Sequence, residues 1–133
     1  MLLETEEGSD VENPDEAQMH AALDGLGKES GTFAILTRRE EPSEYIQTSG
    51  EKNAFIVEYR EGDRHFRAAD TALPLDKTTA IFLAYCRGDN AWRKMAAWQE
   101  VTEEAKGGRW LARIIIAAVV LIIVLAIAVK LLK

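Results

Sequence analysis

The sequence predicts an α+β domain, an antiparallel β-meander of about four to five strands packed on one main helix, joined to a single C-terminal transmembrane helix. Three observations carry this. Between Thr32 and Ala68, short runs of β-branched, aromatic and aliphatic residues alternate with turn residues. Over Lys77–Arg87 the apolar period lengthens to that of a helix. From Ile114 to Val129 every residue is Ala, Val, Ile or Leu.

The elements follow in order. Residues 1–13 carry Glu4, Glu6, Glu7, Asp10 and Glu12 with no opposing base. So little apolar surface cannot offset the entropy of ordering, and this acidic arm is expected to be disordered. Asn13-Pro14-Asp15-Glu16 reads as a helix start, with Asn13 as cap, Pro14 in the first turn and acids at the positive end of the dipole. Met19, Ala22, Leu23 and Leu26 recur at helical spacing, and Gly25 and Gly27 end the helix, which docks on the domain.

Thr32–Thr37 and Glu44–Thr48 are strand candidates, and Ser49–Asn53 is a turn. Ala54–Arg60 is the strongest strand and Arg64–Ala68 its return across Glu61-Gly62-Asp63. Phe55, Val57 and Tyr59 share the face expected to meet a helix. That helix runs over Lys77–Arg87, with Leu75 the apolar residue before an N-cap at Asp76; it presents Thr78, Ile81, Phe82 and Tyr85 along one stripe and stops at Gly88. The stretch from Asp89 to Ala105 admits two readings: a short helical turn at Trp92 with an edge strand around Trp98, which is preferred, or a second helix capped by Asp89. Lys106-Gly107-Gly108-Arg109 is a flexible joint. The chain thus divides into an acidic arm with a short helix (1–30), an α+β domain (31–105), a linker (106–110) and a transmembrane helix (111–132).

Charge is distributed unevenly. Up to Ala105, 11 bases face 22 acids, a net charge of −11, whereas the remainder holds five bases and no acid. An acidic domain is poorly suited to phosphate backbones, so nucleic-acid binding is not expected, while a basic protein partner would suit it. The single cysteine, Cys86, gives no disulfide framework and no Cys-based metal site. The start MLLETEEGSD lacks the basic and apolar regions of a secretory signal.

The apolar run is a membrane element by length. At about 1.5 Å per residue, about 20 residues cross a hydrocarbon core of about 30 Å, and 111–132 supplies them if Arg113 and Lys130 reach the headgroups. Lys106, Arg109, Trp110, Arg113, Lys130 and Lys133 are the candidate membrane-interface residues. The flanking bases and the missing signal place the domain on the cytoplasmic side of a cell membrane. With no Gly, Ser or Asn to glue helices together, the segment reads as a single-pass anchor.

Catalytic chemistry is sparsely represented. His20 and His65 have no companions at metal-ligand spacing, and no phosphate loop is present. Cys86 with His65 is the only nucleophile–base pairing to consider, and a packed thiol at a helix end is the commoner arrangement. No cofactor, metal or small-molecule substrate is expected. Candidate partner-binding residues are Arg60, Arg64 and Arg67 around the hairpin, interleaved with Glu58, Glu61 and Asp63, and Trp92 and Trp98.

EYIQT, FIVEYREG, HFRA, AIFLAYCRGD and AWRKMAAWQEV succeed one another as a meander, a helix and a Trp-containing close. This layout, over about Thr32 to Val101, loosely resembles small bacterial α+β proteins of the Imm1-like group of immunity proteins from polymorphic-toxin systems. The resemblance implies tight binding that blocks a toxin; a membrane segment is not part of the usual pattern. The expectation is therefore a membrane-tethered, non-enzymatic protein-binding module that occludes or recruits a partner at the cytoplasmic membrane face. The alternative is a structural or regulatory accessory subunit assembled through its transmembrane helix.

Overall fold

The computed structural model describes residues 1–101 other than 9, 39 and 42, together with residue 130. Seven strands form one antiparallel sheet: β1 (Leu2–Thr5), β2 (Val11–Glu12), β3 (Phe33–Thr37), β4 (Tyr45–Glu51), β5 (Ala54–Glu61), β6 (Arg64–Ala68) and β7 (Trp98–Glu100). The order across the sheet is β2-β1-β3-β4-β5-β6-β7, so β4 is central. Two helices, α1 (Glu16–Asp24) and α2 (Leu75–Cys86), pack against each other, and a 3-10 turn at Asn90–Lys94 precedes β7.

From β3 to β7 the chain runs as the expected meander, with the edge strand at Trp98 rather than a second long helix. The sheet has two strands more than expected because residues 1–13 join it instead of staying disordered. β1 pairs with β3 over Leu2↔Thr37 to Thr5↔Ala34, and β2 folds back on β1. The acids predicted disorder by composition, but they alternate with Leu3, which is 1% exposed in the core. Tertiary pairing with an existing edge supplies what the arm alone lacks. Glu6 fastens the same corner: its Oε2 accepts from the Thr32 backbone N–H at 2.7 Å and from Thr32 Oγ1 at 2.5 Å.

The α1 cap is Asp15, not Asn13. A capping box needs a Gln or Glu three residues on, and Gln18 answers Asp15: Gln18 N–H donates to Asp15 Oδ1 at 2.8 Å and Asp15 N–H to Gln18 Oε1 at 3.0 Å. Asn13 instead turns the chain with φ of 47° and donates its N–H to the Met1 carbonyl. Met19 and Leu23 bury one side of α1, and with Leu26 they join the same core as α2, so two helices rather than one main helix cover the sheet.

α2 begins two residues earlier than expected, at Leu75, because Pro74 holds an extended φ of −69° and ψ of 157° and serves as the cap residue. Pro74 has no side-chain acceptor; Asn53, from the turn between β4 and β5, takes the Leu75 N–H on Oδ1 at 3.2 Å. Thr78, Ile81, Phe82 and Tyr85 are buried, as is the Phe55–Val57–Tyr59 face of β5. β4 continues to Glu51, so the connection to β5 shrinks to Lys52-Asn53.

The linker, the transmembrane segment and their flanking residues fall in 102–133, outside the described residues except for Lys130, which is helical and exposed. Among the described residues no helix is long and apolar enough to cross a membrane.

Two outcomes test the role of the first strand. Leu3→Ala should lower unfolding free energy by about 2–5 kcal/mol, the usual cost of a core Leu→Ala change, read from denaturant midpoints; a change confined to surface-like values would remove β1 from the core. The Thr32 hydrogen bonds lower the Glu6 pKa below its ordinary 4.5. A depressed folded-state carboxyl stabilises above the unfolded value and loses that contribution as pH falls through the folded one. Glu6→Gln should therefore lower the melting temperature slightly at pH 7, and the gap to the parent should close on acidification below 4.5.

Candidate functional site

Two two-residue turns set the register of the centre of the sheet. Lys52-Asn53 makes Glu51 face Ala54, and Gly62-Asp63 makes Glu61 face Arg64. Gly62 takes φ of 58°, which a side chain at that position would resist. Because strand residues alternate sides, these turns assign every neighbour. Phe55, Val57 and Tyr59 point to the helices, and Ile56, Glu58 and Arg60 point away from them.

The side away from the helices is laid out in rows of cross-strand partners. One runs Glu4, Ile35, Gln47, Glu58, Arg67, Gln99 across β1, β3, β4, β5, β6 and β7. The next contains Leu2, Thr37, Tyr45, Arg60 and His65. A third pairs Phe33, Ser49 and Ile56. Leu2, Phe33, Ile35, Tyr45 and Ile56 are only partly buried and stand apart from the core cluster. The face therefore combines apolar and aromatic surface with polar groups, and neither α1 nor α2 covers it.

At its centre lies a buried polar cluster. Glu58 and His65 are 8% and 7% exposed. Glu58 Oε2 receives Gln47 Nε2 at 3.0 Å and stands 3.0 Å from His65 Nε2, while Arg67 Nε lies 3.7 Å from Oε1. Among the described residues, Gln47 from β4 and His65 and Arg67 from β6 all approach this carboxylate, as burial of a polar group requires. His65 is thus committed through Nε2 to an acid and held in place by it.

The hairpin arginines do not form one patch. Arg60 and Arg67 lie on the helix-free face, with Arg60 Nε donating to the Gly62 carbonyl at 2.7 Å. Arg64 falls on the opposite face, where its Nε and Nη2 each reach the Glu100 carboxylate at 3.3 Å and its guanidinium sits 4.8 Å from the Phe66 ring centre. The pairing Glu61↔Arg64 beside Arg60↔His65 makes this division unavoidable.

The tryptophans also lie on the helix side, in an aromatic cluster centred on Tyr59. Phe66 stacks on Tyr59 at 4.7 Å, and Trp92 and Trp98 meet Tyr59 edge-on at 4.7 and 4.9 Å. Trp92 is 2% exposed and belongs to the core, whereas Trp98 is half-buried and donates Nε1–H to the Arg93 carbonyl at 3.1 Å. Arg93 lies 4.4 Å from the Trp92 ring centre and pairs with Glu61. Trp92 is therefore structural in its geometry, and Trp98 presents only an edge.

Cys86 and His65 do not converge. His65 points away from the helices, and Cys86 closes α2 on the other side of the sheet, with Sγ 3.9 Å from the Pro14 carbonyl. Burial pushes the Cys86 thiol pKa up from its ordinary 9.0, which disfavours the nucleophilic thiolate. Among the described residues no group of three His, Cys, Asp or Glu side chains is arranged to hold a metal ion. The membrane-interface candidates Lys106, Arg109, Trp110, Arg113 and Lys133 lie outside the described residues.

The sequence places Glu58 among the hairpin arginines, and it does pair with Arg67; its burial with Gln47 and His65 was not read, although both signals were available. A charged residue interrupts the apolar run AFIVEYRE, and each two-residue turn dictates its partners once it is recognised. No family model, curated protein or solved structure matches this chain.

Removing the carboxylate tests the cluster. Arg67 is 23% exposed at its side chain, so the cost of Glu58→Ala should stay below that of stranding a sealed ion. It should be about 1–3 kcal/mol, the range for an unsatisfied buried polar group, measured by denaturant unfolding. A loss under about 0.5 kcal/mol, as for an ordinary surface site, would deny the cluster a structural role.

Proposed function

We propose that this chain is a membrane-tethered protein-binding module that acts by occluding or recruiting a partner through the helix-free face of its sheet. The observation that carries the reading is the composition of that face: Phe33, Ile35, Tyr45 and Ile56 lie partly open around a polar centre. Interface cores mix aromatic and aliphatic groups with Arg and exclude most other charges. Tyr45, Arg60 and Arg67 supply the residue types that dominate binding energy.

Binding rather than catalysis is the reading the chemistry supports. His65 is engaged by Glu58, and Cys86 lies on the far side of the sheet with its thiol pKa raised. The immunity-type resemblance fits the same mode of action, occlusion of a partner. In this proposal 111–132 crosses the bilayer as an anchor, because a run composed only of Ala, Val, Ile and Leu from Ile114 to Val129 satisfies the length and polarity of a spanning helix. The acidic domain then stands at the cytoplasmic surface.

Exchanging 111–132 for an unrelated apolar helix should leave the protein in the membrane fraction with partner binding intact, whereas Tyr45→Asp should abolish partner binding without releasing it from membranes. Loss of binding on the helix exchange, with localisation unchanged, would transfer the function to the transmembrane segment and favour an accessory subunit of a membrane complex. External protease on sealed right-side-out cells should leave the domain intact; its digestion would reverse the orientation.

A further inference from the structure

We propose that the partner of the helix-free face is a second copy of this chain, packed sheet against sheet about a two-fold axis running along β4. The inference rests on the reading of that face as a protein-binding surface and names its occupant.

Charge polarity across the sheet is the first argument. On this face β1 and β2 carry the acids Glu4 and Glu12, while β5 and β6 carry two arginines, Arg60 and Arg67, around the single acid Glu58. A face-to-face dimer has two simple symmetries. An axis perpendicular to the strands lays β1 on β1 and β6 on β6, acid on acid and base on base. An axis parallel to the strands exchanges the two ends, because β4 is the middle of seven. Glu4 then meets Arg67 of the copy, since both occupy one row two strands from the centre on opposite sides. Phe33 and Ile56, one strand either side of β4 in another row, face each other's copies. Aligned sheets pack at about 30°, a rotation that leaves this exchange of ends intact.

Among the described residues no ion pair joins Glu4 to a base, and partial burial, followed by the carboxylate of Asp10, pushes its pKa above the ordinary 4.5. A facing Arg67 would relieve that carboxylate, and isologous symmetry makes the contact twice.

Direction is the second argument. Rotation about an axis parallel to the strands preserves strand direction, so both copies leave β7 heading the same way. Two chains anchored in one bilayer are compatible with that; the perpendicular axis would set the two β7 strands in opposite directions.

Area sets the strength. Five strand spacings of about 4.8 Å by five residues at about 3.4 Å make a footprint of about 400 Å², against the roughly 800 Å² per partner of a standard stable complex. The pairing is therefore weak in dilute solution and depends on the effective concentration that a shared membrane provides.

The test uses the full chain in its membrane, in a Cys86→Ser background. Ser49 is exposed, lies on β4 and so faces itself across the axis; Gln99 is exposed on β7 and faces β2 of the copy. Oxidation should convert Ser49→Cys to covalent dimer and leave Gln99→Cys monomeric; equal yields would overturn the proposal. Glu4→Arg and Arg67→Glu, each added to Ser49→Cys, should reduce the cross-link to background, and co-expression of the two should restore it as a mixed dimer. Because Arg67→Glu places an acid beside Glu58, Glu4→Arg alone and the rescue decide if that variant fails to fold; intact self-cross-linking by Glu4→Arg, or no rescue with both chains present, counts against the pairing. A benzophenone attached to the introduced thiol of the Ser49→Cys chain separates the two levels of inference. An adduct of twice the chain's mass supports the dimer. An adduct with a different protein overturns the dimer and leaves the binding-face reading standing, and no adduct from membrane-inserted protein overturns both.

Discussion

The register of the central hairpins is the constraint on which the rest depends. Lys52-Asn53 and Gly62-Asp63 leave no slack between β4, β5 and β6, and a slip of one residue would move every side chain to the opposite face. Phe55, Val57 and Tyr59 would then lose the helices, and Glu58 would enter the core without Gln47 or His65. The buried apolar face and the buried polar cluster are two consequences of one register. Asn53 ties the same turn to α2 by accepting the Leu75 N–H, so the turn that aligns the strands also seats the helix that covers them.

The two faces divide the work. On one side a continuous core runs from Leu3 and Met19 through Phe55 and Phe82 to Trp92, and burial of that apolar surface drives folding. On the other, Glu58 is stabilised by specific partners in a surface otherwise half open. A buried carboxylate contributes little net stability compared with an apolar residue of its size, so its presence at the centre of the proposed binding face is better understood as shaping that face. It contacts Arg67 and His65, an arrangement that would lower the ordering cost of the proposed binding.

In the proposed arrangement, tethering would alter what such a face needs to achieve. A modest footprint is sufficient when two chains share one bilayer, because membrane confinement replaces part of the affinity that a soluble complex must draw from area. The asymmetry between the acidic residues up to Ala105 and the bases after it suits the proposed arrangement: such flanks would favour anionic headgroups, while the domain's own charge would discourage it from lying on them.

Much of the fold was legible in sequence because its signals are local. The meander from β3 to β7, the stripe of α2 and the inward face of β5 each follow from period and turn chemistry within a dozen residues. The apolar run from Ile114 to Val129 is likewise legible, through composition and length alone. Other features were decided only by tertiary structure, because their partners are remote in the chain. The acids of residues 1–13 argue for disorder until β3 offers an edge to Leu3; the cap of α2 comes from Asn53 in a distant turn; and Arg64 leaves Arg60 and Arg67 only once the hairpin pairs Glu61 with it. Sequence by itself determined the strands from β3 to β6, the two helices and the apolar run, since those depend on neighbours in the chain. Tertiary structure decided which residues share a face, since a face is assembled from strands whose register no single segment contains.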